Sequence, residues 1–76
     1  MNAVIHDDDV ATAILGYLAE HPHGMDTVEG IAEWWIARQR VRVQVVTVAR
    51  VLERLTEGGA VEVVSANGHR LYRRKI

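Results

Sequence analysis

Apolar residues recur with helical spacing over the first two thirds of the chain. Val10, Ile14 and Leu18 follow one another at intervals of four residues, which places them on one face of a first helix of about three turns. One aspartate of Asp7-Asp8-Asp9 can cap the free N–H groups at its start, and His21-Pro22 ends it because a residue before proline avoids helical geometry. The pattern predicts an amphipathic helix that packs one face on a core.

A second helix is predicted to open at Asp26, because Asp26 and Glu29 have the spacing of a capping box. Its predicted buried face consists of Val28, Ile31, Ala32 and Trp35. Trp34 lies about 100° from Trp35 around the helix axis, so the two indoles cannot face the core equally. We expect Trp35 in the core and Trp34 at least partly exposed, where it can cover a crevice or contact a partner.

The strongest helical stripe lies in a third segment. It consists of Val45, Val48, Leu52 and Leu55, with Val51 at its flank. Gly58-Gly59 is expected to end this helix, as glycine commonly does. The preceding connection, residues 37–43, alternates arginine or glutamine with valine and leaves two interpretations open: a strand, or a polar loop with one apolar tether.

The last segment has the pattern of a β-hairpin. Residues 61–64 and 71–74 flank Asn67-Gly68, the pair that type I′ turns favour. A two-residue loop predicts the pairs Val63–Tyr72, Val61–Arg74, Val64–Leu71 and Glu62–Arg73. The opposite charges of the last pair support this register.

Two segments carry a resemblance to a known family. Residues 26–33 (DTVEGIAE) look like the start of a second helix, and residues 48–61 (VARVLERLTEGGAV) look like a third helix running into a hairpin. With the order α-α-α-β-β, residues 10–74 resemble the winged helix-turn-helix DNA-binding domains of bacterial regulators. The predicted fold is therefore α+β: three helices followed by a two-stranded wing. One departure is extra length at residues 34–42, which requires either an extended second helix or a basic loop.

Charge is divided unevenly along the chain. Residues 1–37 contain seven Asp and Glu and no Lys or Arg, whereas residues 38–76 contain nine Lys and Arg against three Asp and Glu, giving net charges of −7 and +6. The total of −1 conceals this division. A dipolar protein of this kind offers a polyanion such as duplex DNA one favourable side.

The resemblance implies that the third helix enters the major groove and that the wing contacts the backbone or a minor groove. The candidate DNA-binding residues on the third helix are Arg42, Gln44, Val46, Thr47 and Arg50, and those on the wing are His69, Arg70, Arg73, Arg74 and Lys75. The outward face of the helix is also expected to carry Val43, Glu53, Arg54 and Glu57. Glutamine can pair an adenine, valine can contact a thymine methyl group, and the bases can reach phosphates.

An alternative function is a winged-helix protein-interaction module that does not bind DNA. Glu62 can neutralise Arg73, and Glu53 or Glu57 can pair with Arg50 or Arg54 at helical spacing. Exposed Val43, Val46 and Trp34 flanked by arginines would also suit a protein contact. Helix one or Trp34 could mediate a homodimer.

Other classes of function are not indicated. The chain has no cysteine, and its His residues lack the arrangement of a metal or catalytic site, so we expect neither an enzyme nor a metal, cofactor or small-molecule substrate. The 76 residues predict a single domain with residues 1–6 as a disordered tail. The absence of a membrane-spanning run or a signal sequence predicts a soluble, cytoplasmic protein without a membrane partner.

Overall fold

The structure, a computed structural model, describes residues 6–36 and 43–75. Within them the chain forms an α+β fold of three helical regions and a three-stranded antiparallel sheet. The elements are α1 (Asp7–Glu20), β1 (Met25–Asp26), α2 (Val28–Gly30) continued by a π-helical segment (Ile31–Ile36), α3 (Val45–Glu57), β2 (Val61–Ala66) and β3 (His69–Arg74).

Helix α1 agrees with its predicted apolar stripe. Val10, Ile14 and Leu18 are buried. The N-cap is His6, whose backbone N–H donates to the Asp9 carboxylate at 3.1 Å, so an aspartate does satisfy a free donor at this end. His6 therefore belongs to the helix end rather than to the predicted tail, and residues 1–5 of that tail lie outside the described residues.

The start of the second helix differs from the prediction by one residue. The N-cap is Thr27, whose hydroxyl accepts a hydrogen bond from the Gly30 N–H at 3.1 Å. Asp26 lies in β1 instead, where its carboxylate accepts from the Thr27 N–H at 2.7 Å. A Cβ at Gly30 would overlap the Asp26 side chain, which explains a glycine inside the helix. Sheet pairing holds Asp26 in an extended conformation, so the next residue with a capping hydroxyl begins the helix.

This cap gives a stability prediction. Thr27→Ala should lower the free energy of unfolding by about 1 kcal/mol, because the Gly30 N–H loses its acceptor. The control is Thr12→Ala: the Thr12 hydroxyl only donates to the Asp8 carbonyl within exposed α1, so the change should stay within about 0.5 kcal/mol. Urea unfolding of both variants measures the difference. Equal losses would contradict the role of Thr27.

The π-helical segment changes which residues of the second helix are buried. Ile31, Ala32 and Trp35 are buried as predicted, but Ile36 is buried as well and Val28 is only half-buried. Hydrogen bonds between residues five apart widen the helical turn and bring Ile31 and Ile36 towards the same side. Trp34 is 66% exposed, which confirms the predicted difference between the two indoles.

The hairpin has the predicted register, with Val63 opposite Tyr72 and Glu62 opposite Arg73. Asn67 and Gly68 both have positive φ, 52° and 79°, as a type I′ turn requires. The sheet nevertheless has three strands in the order β1-β3-β2, not the two predicted. β1 has only two residues, too few to show an alternating pattern, and its existence depends on pairing with β3.

Helix α3 buries Val48, Val51 and Leu52 against α1, the π-helical segment and the sheet. Two predictions for its first residues were wrong. Val45 is 42% exposed because it lies in the first turn, and Val43 is half-buried because it precedes the helix and packs against the core. Residues 37–42 of the connection lie outside the described residues.

Candidate nucleic-acid interface

The N-terminal end of α3 is an open surface. Gln44 is the N-cap of the helix and is exposed, and Val46 is 64% exposed. Thr47 is half-buried, and Arg50 is exposed one turn after Val46. Arg42, which was predicted to join this group, lies outside the described residues. The helix thus begins late enough to leave the Gln44 side chain accessible, the condition for its contact with a base edge.

Arg50 is already bound to a carboxylate of α1. Its Nε and Nη2 donate to the two oxygens of Asp7, both at 2.9 Å, and Nη1 of Arg54 lies 3.5 Å from Asp7 Oδ2. The predicted pairing of these arginines with Glu53 or Glu57 was wrong. The packing of α1 on α3 supplies a carboxylate that accepts both hydrogen bonds of the Arg50 guanidinium, which helical spacing alone does not.

This ion pair perturbs both titrating groups. The hydrogen bond from Arg50, followed by the charges of Arg50 and Arg54, lowers the pKa of the Asp7 carboxyl, although partial desolvation opposes the shift. The same hydrogen bond raises the pKa of Arg50. Any stability from the pair is therefore present above the ordinary carboxyl pKa of 3.8 and disappears as pH falls through the lowered value. Because the groups are solvent-exposed, this contribution is small.

The basic residues of the wing are exposed but lie on two faces of the hairpin. Strand alternation places Arg70 and Arg74 on the face of Tyr72, and His69 and Arg73 on the other. The Arg70 guanidinium lies 5.9 Å from the centre of the Tyr72 ring. Lys75 follows β3 and is exposed; its backbone N–H donates to the Ala60 carbonyl.

One wing arginine is partly neutralised, as predicted. Arg73 Nε donates to Glu62 Oε2 at 2.7 Å across the hairpin. Its guanidinium is thereby fixed beside the strand, and a phosphate would have to compete with Glu62 for it. Arg70, Arg74 and Lys75 have no carboxylate partner among the described residues and are the bases most available to an anion.

A crevice of about 290 Å³ separates α3 from the wing. It is lined by Ala49, Glu53, Thr56, Glu57, Val63, Arg70 and Tyr72. Its two carboxylates repel phosphate, so this part of α3 is a poor place for a nucleic-acid backbone. A duplex would have to be held by the N-terminal part of α3 and by the outer surface and tip of the wing.

Other chemistry receives no positive sign from the described residues. Within residues 6–36 and 43–75, no three His, Asp or Glu side chains are grouped so that they could hold a metal ion. In the same part of the chain, no helix is long and apolar enough to cross a membrane. His21 lies next to the Tyr17 ring, with 4.5 Å between ring centres, and Tyr17 in turn stacks on Trp35.

Comparisons with protein-family models, with curated proteins and with solved structures find no match to this chain.

Proposed function

We propose that this chain is a winged-helix protein that binds duplex DNA through the start of α3 and its basic wing, as a transcriptional regulator or an accessory DNA-binding factor. The observation that carries the proposal is the position of the basic residues. The six that the structure describes, Arg50, Arg54, Arg70, Arg73, Arg74 and Lys75, all lie on α3 or the hairpin and are all exposed. A helix and a hairpin that both expose cations can contact neighbouring stretches of one duplex.

The role of each region follows from its chemistry. Gln44, Val46 and Thr47 supply an amide, an apolar surface and a hydroxyl at the start of α3, suited to base edges. Arg70, Arg74 and Lys75 supply charge to phosphates without reading sequence. If these three bases and Arg73 each neutralise one phosphate, the logarithm of affinity should fall with the logarithm of salt with a slope of about −4.

A protein-interaction function is the second candidate, and a specific observation favours it. Trp34 and Val46 are large apolar side chains that are each about two-thirds exposed. An apolar surface next to arginines also suits a protein interface. In this case α3 would contact a partner protein, and the hairpin cations would contribute little to binding.

An NMR titration of labelled protein with a mixed-sequence duplex, first at low and then at moderate salt, tests the proposal. We expect shifts in residues 44–50 and 69–75 that diminish as salt rises, because counterion release drives the contact. Amides on the exposed face of α1, such as those of Leu15 and Glu20, serve as the internal control and should not shift. A folded spectrum without shifts at low salt would contradict DNA binding, and a pull-down of protein partners would follow.

A further inference from the structure

Two guanidinium groups of α3 converge on a single carboxylate of α1. The hydrogen bonds from Arg50 to Asp7 are both 2.9 Å long, and Arg54 lies 3.5 Å from the same carboxylate. A paired donor of this geometry binds phosphate oxygens as well as it binds carboxylate oxygens. Asp7 therefore occupies a position that suits one phosphate group.

The site is open to an external anion. The side chains of Arg50 and Arg54 are 56% and 63% exposed, whereas that of Asp7 is 27% exposed. A crevice of about 240 Å³ lies beside the pair, with Asp8 and Leu55 among its lining residues. Asp7 is the first residue of α1, so a change of its side-chain rotamer can withdraw the carboxylate without breaking a turn of helix.

The site also continues the proposed DNA-contacting face of α3. Val46, Arg50 and Arg54 are spaced four residues apart and form a single row along the helix, about 40° of rotation separating each from the next. The exposed start of this row is Val46, and its later members lie beside α1. A duplex that contacts Val46 would pass its backbone close to Arg50.

We propose that Arg50 and Arg54 form a binding site for a backbone phosphate of duplex DNA, which Asp7 occupies in the free protein and leaves when DNA binds. This inference rests on the proposed function and adds Arg54 to the contact residues. Internal competition reduces the apparent affinity by the fraction of molecules in which the site is open. For an exposed ion pair this fraction should be about one in five.

The test compares Asp7→Asn with Asp8→Asn. Both changes remove one negative charge from the first turn of α1 and so cost the helix end the same favourable charge. Asp8 is exposed, and in residues 6–36 and 43–75 its side chain forms no ion pair. The pair of variants therefore separates release of the arginines from a general change in net charge.

We expect Asp7→Asn to bind a mixed-sequence duplex about fivefold more tightly than Asp8→Asn at low salt. Its salt dependence should be steeper by one to two phosphates, or about 0.9 for each. Adding Arg50→Ala and Arg54→Ala to Asp7→Asn should remove both gains. Fluorescence anisotropy of a labelled duplex measures affinity and salt slope, and circular dichroism verifies that the variants are folded.

The outcomes separate this inference from the function on which it rests. If the unmodified protein binds the duplex but the two asparagine variants have equal affinity and slope, the contact between Asp7 and the arginines serves only to join α1 to α3. If neither the unmodified protein nor Asp7→Asn binds at low salt, both the site and the proposed function are wrong. Binding by Asp7→Asn alone would support both.

Discussion

Replacing Arg70, Arg73 and Arg74 together with alanine should weaken binding to any duplex about 100-fold at about 50 mM salt. Each phosphate that a cation neutralises contributes roughly one order of magnitude at this salt concentration through release of counterions. Arg70 and Arg74 have no carboxylate partner among the described residues, so each should contribute in full. Arg73 should contribute less, because binding to a phosphate requires it to leave Glu62.

The salt slope of the same variant should become shallower by two to three phosphates, or about 0.9 for each. The matched control replaces the three arginines with lysine, which keeps the charge and removes the planar guanidinium. This control should retain most of the non-specific affinity. The loss should also be similar for unrelated duplex sequences, since contacts to phosphates do not distinguish bases. A triple alanine variant with unchanged affinity would exclude the wing from the DNA contact.

Much of the hairpin could be predicted because its determinants are local. Asn67-Gly68 adopts the two positive φ angles that fix a two-residue loop, and this loop sets every pair of the register, including Glu62 with Arg73. The apolar stripe of α1 was equally informative, because an amphipathic helix in a small domain has one core to face.

The third strand and the π-helical segment depend on tertiary contacts and had no local signal. Met25 and Asp26 form a strand only because β3 pairs with them. The burial of Ile36 requires the wider π-helical turn, which a search for the 3.6-residue period of an α-helix does not detect. The wrong assignment of Asp26 as the start of the second helix has the same origin, since Thr27 caps the helix that follows the strand.

The contact between Asp7 and Arg50 shows most clearly what spacing along the chain cannot supply. These residues are 43 positions apart and meet because α1 packs on α3. Helical spacing offered Glu53 and Glu57 as nearer partners, but in the fold these carboxylates line the crevice that faces the wing. The division of the chain into acidic and basic halves was visible in the sequence. The pairing of an acidic residue of one half with arginines of the other required the three-dimensional structure.

Val46→Glu should weaken duplex binding about 30-fold at low salt, because it places a carboxylate where α3 meets phosphates and removes an apolar contact to a base. The fold should tolerate the change. Val46 is 64% exposed, and an acidic side chain in the first turn of a helix interacts favourably with the helix dipole. Urea unfolding should therefore give a free energy of unfolding within about 0.5 kcal/mol of the original value.

Val46→Lys is the matched control for this variant and separates the two candidate functions. For DNA, lysine adds a phosphate contact, so the glutamate and lysine variants should change affinity in opposite directions. For an apolar protein interface, both variants bury a charge and should weaken binding of the partner. Anisotropy with a labelled duplex gives the sign for each variant. Opposite signs would support DNA binding by α3, and a loss of duplex binding in both would mean that Val46 packs against an apolar surface in the complex.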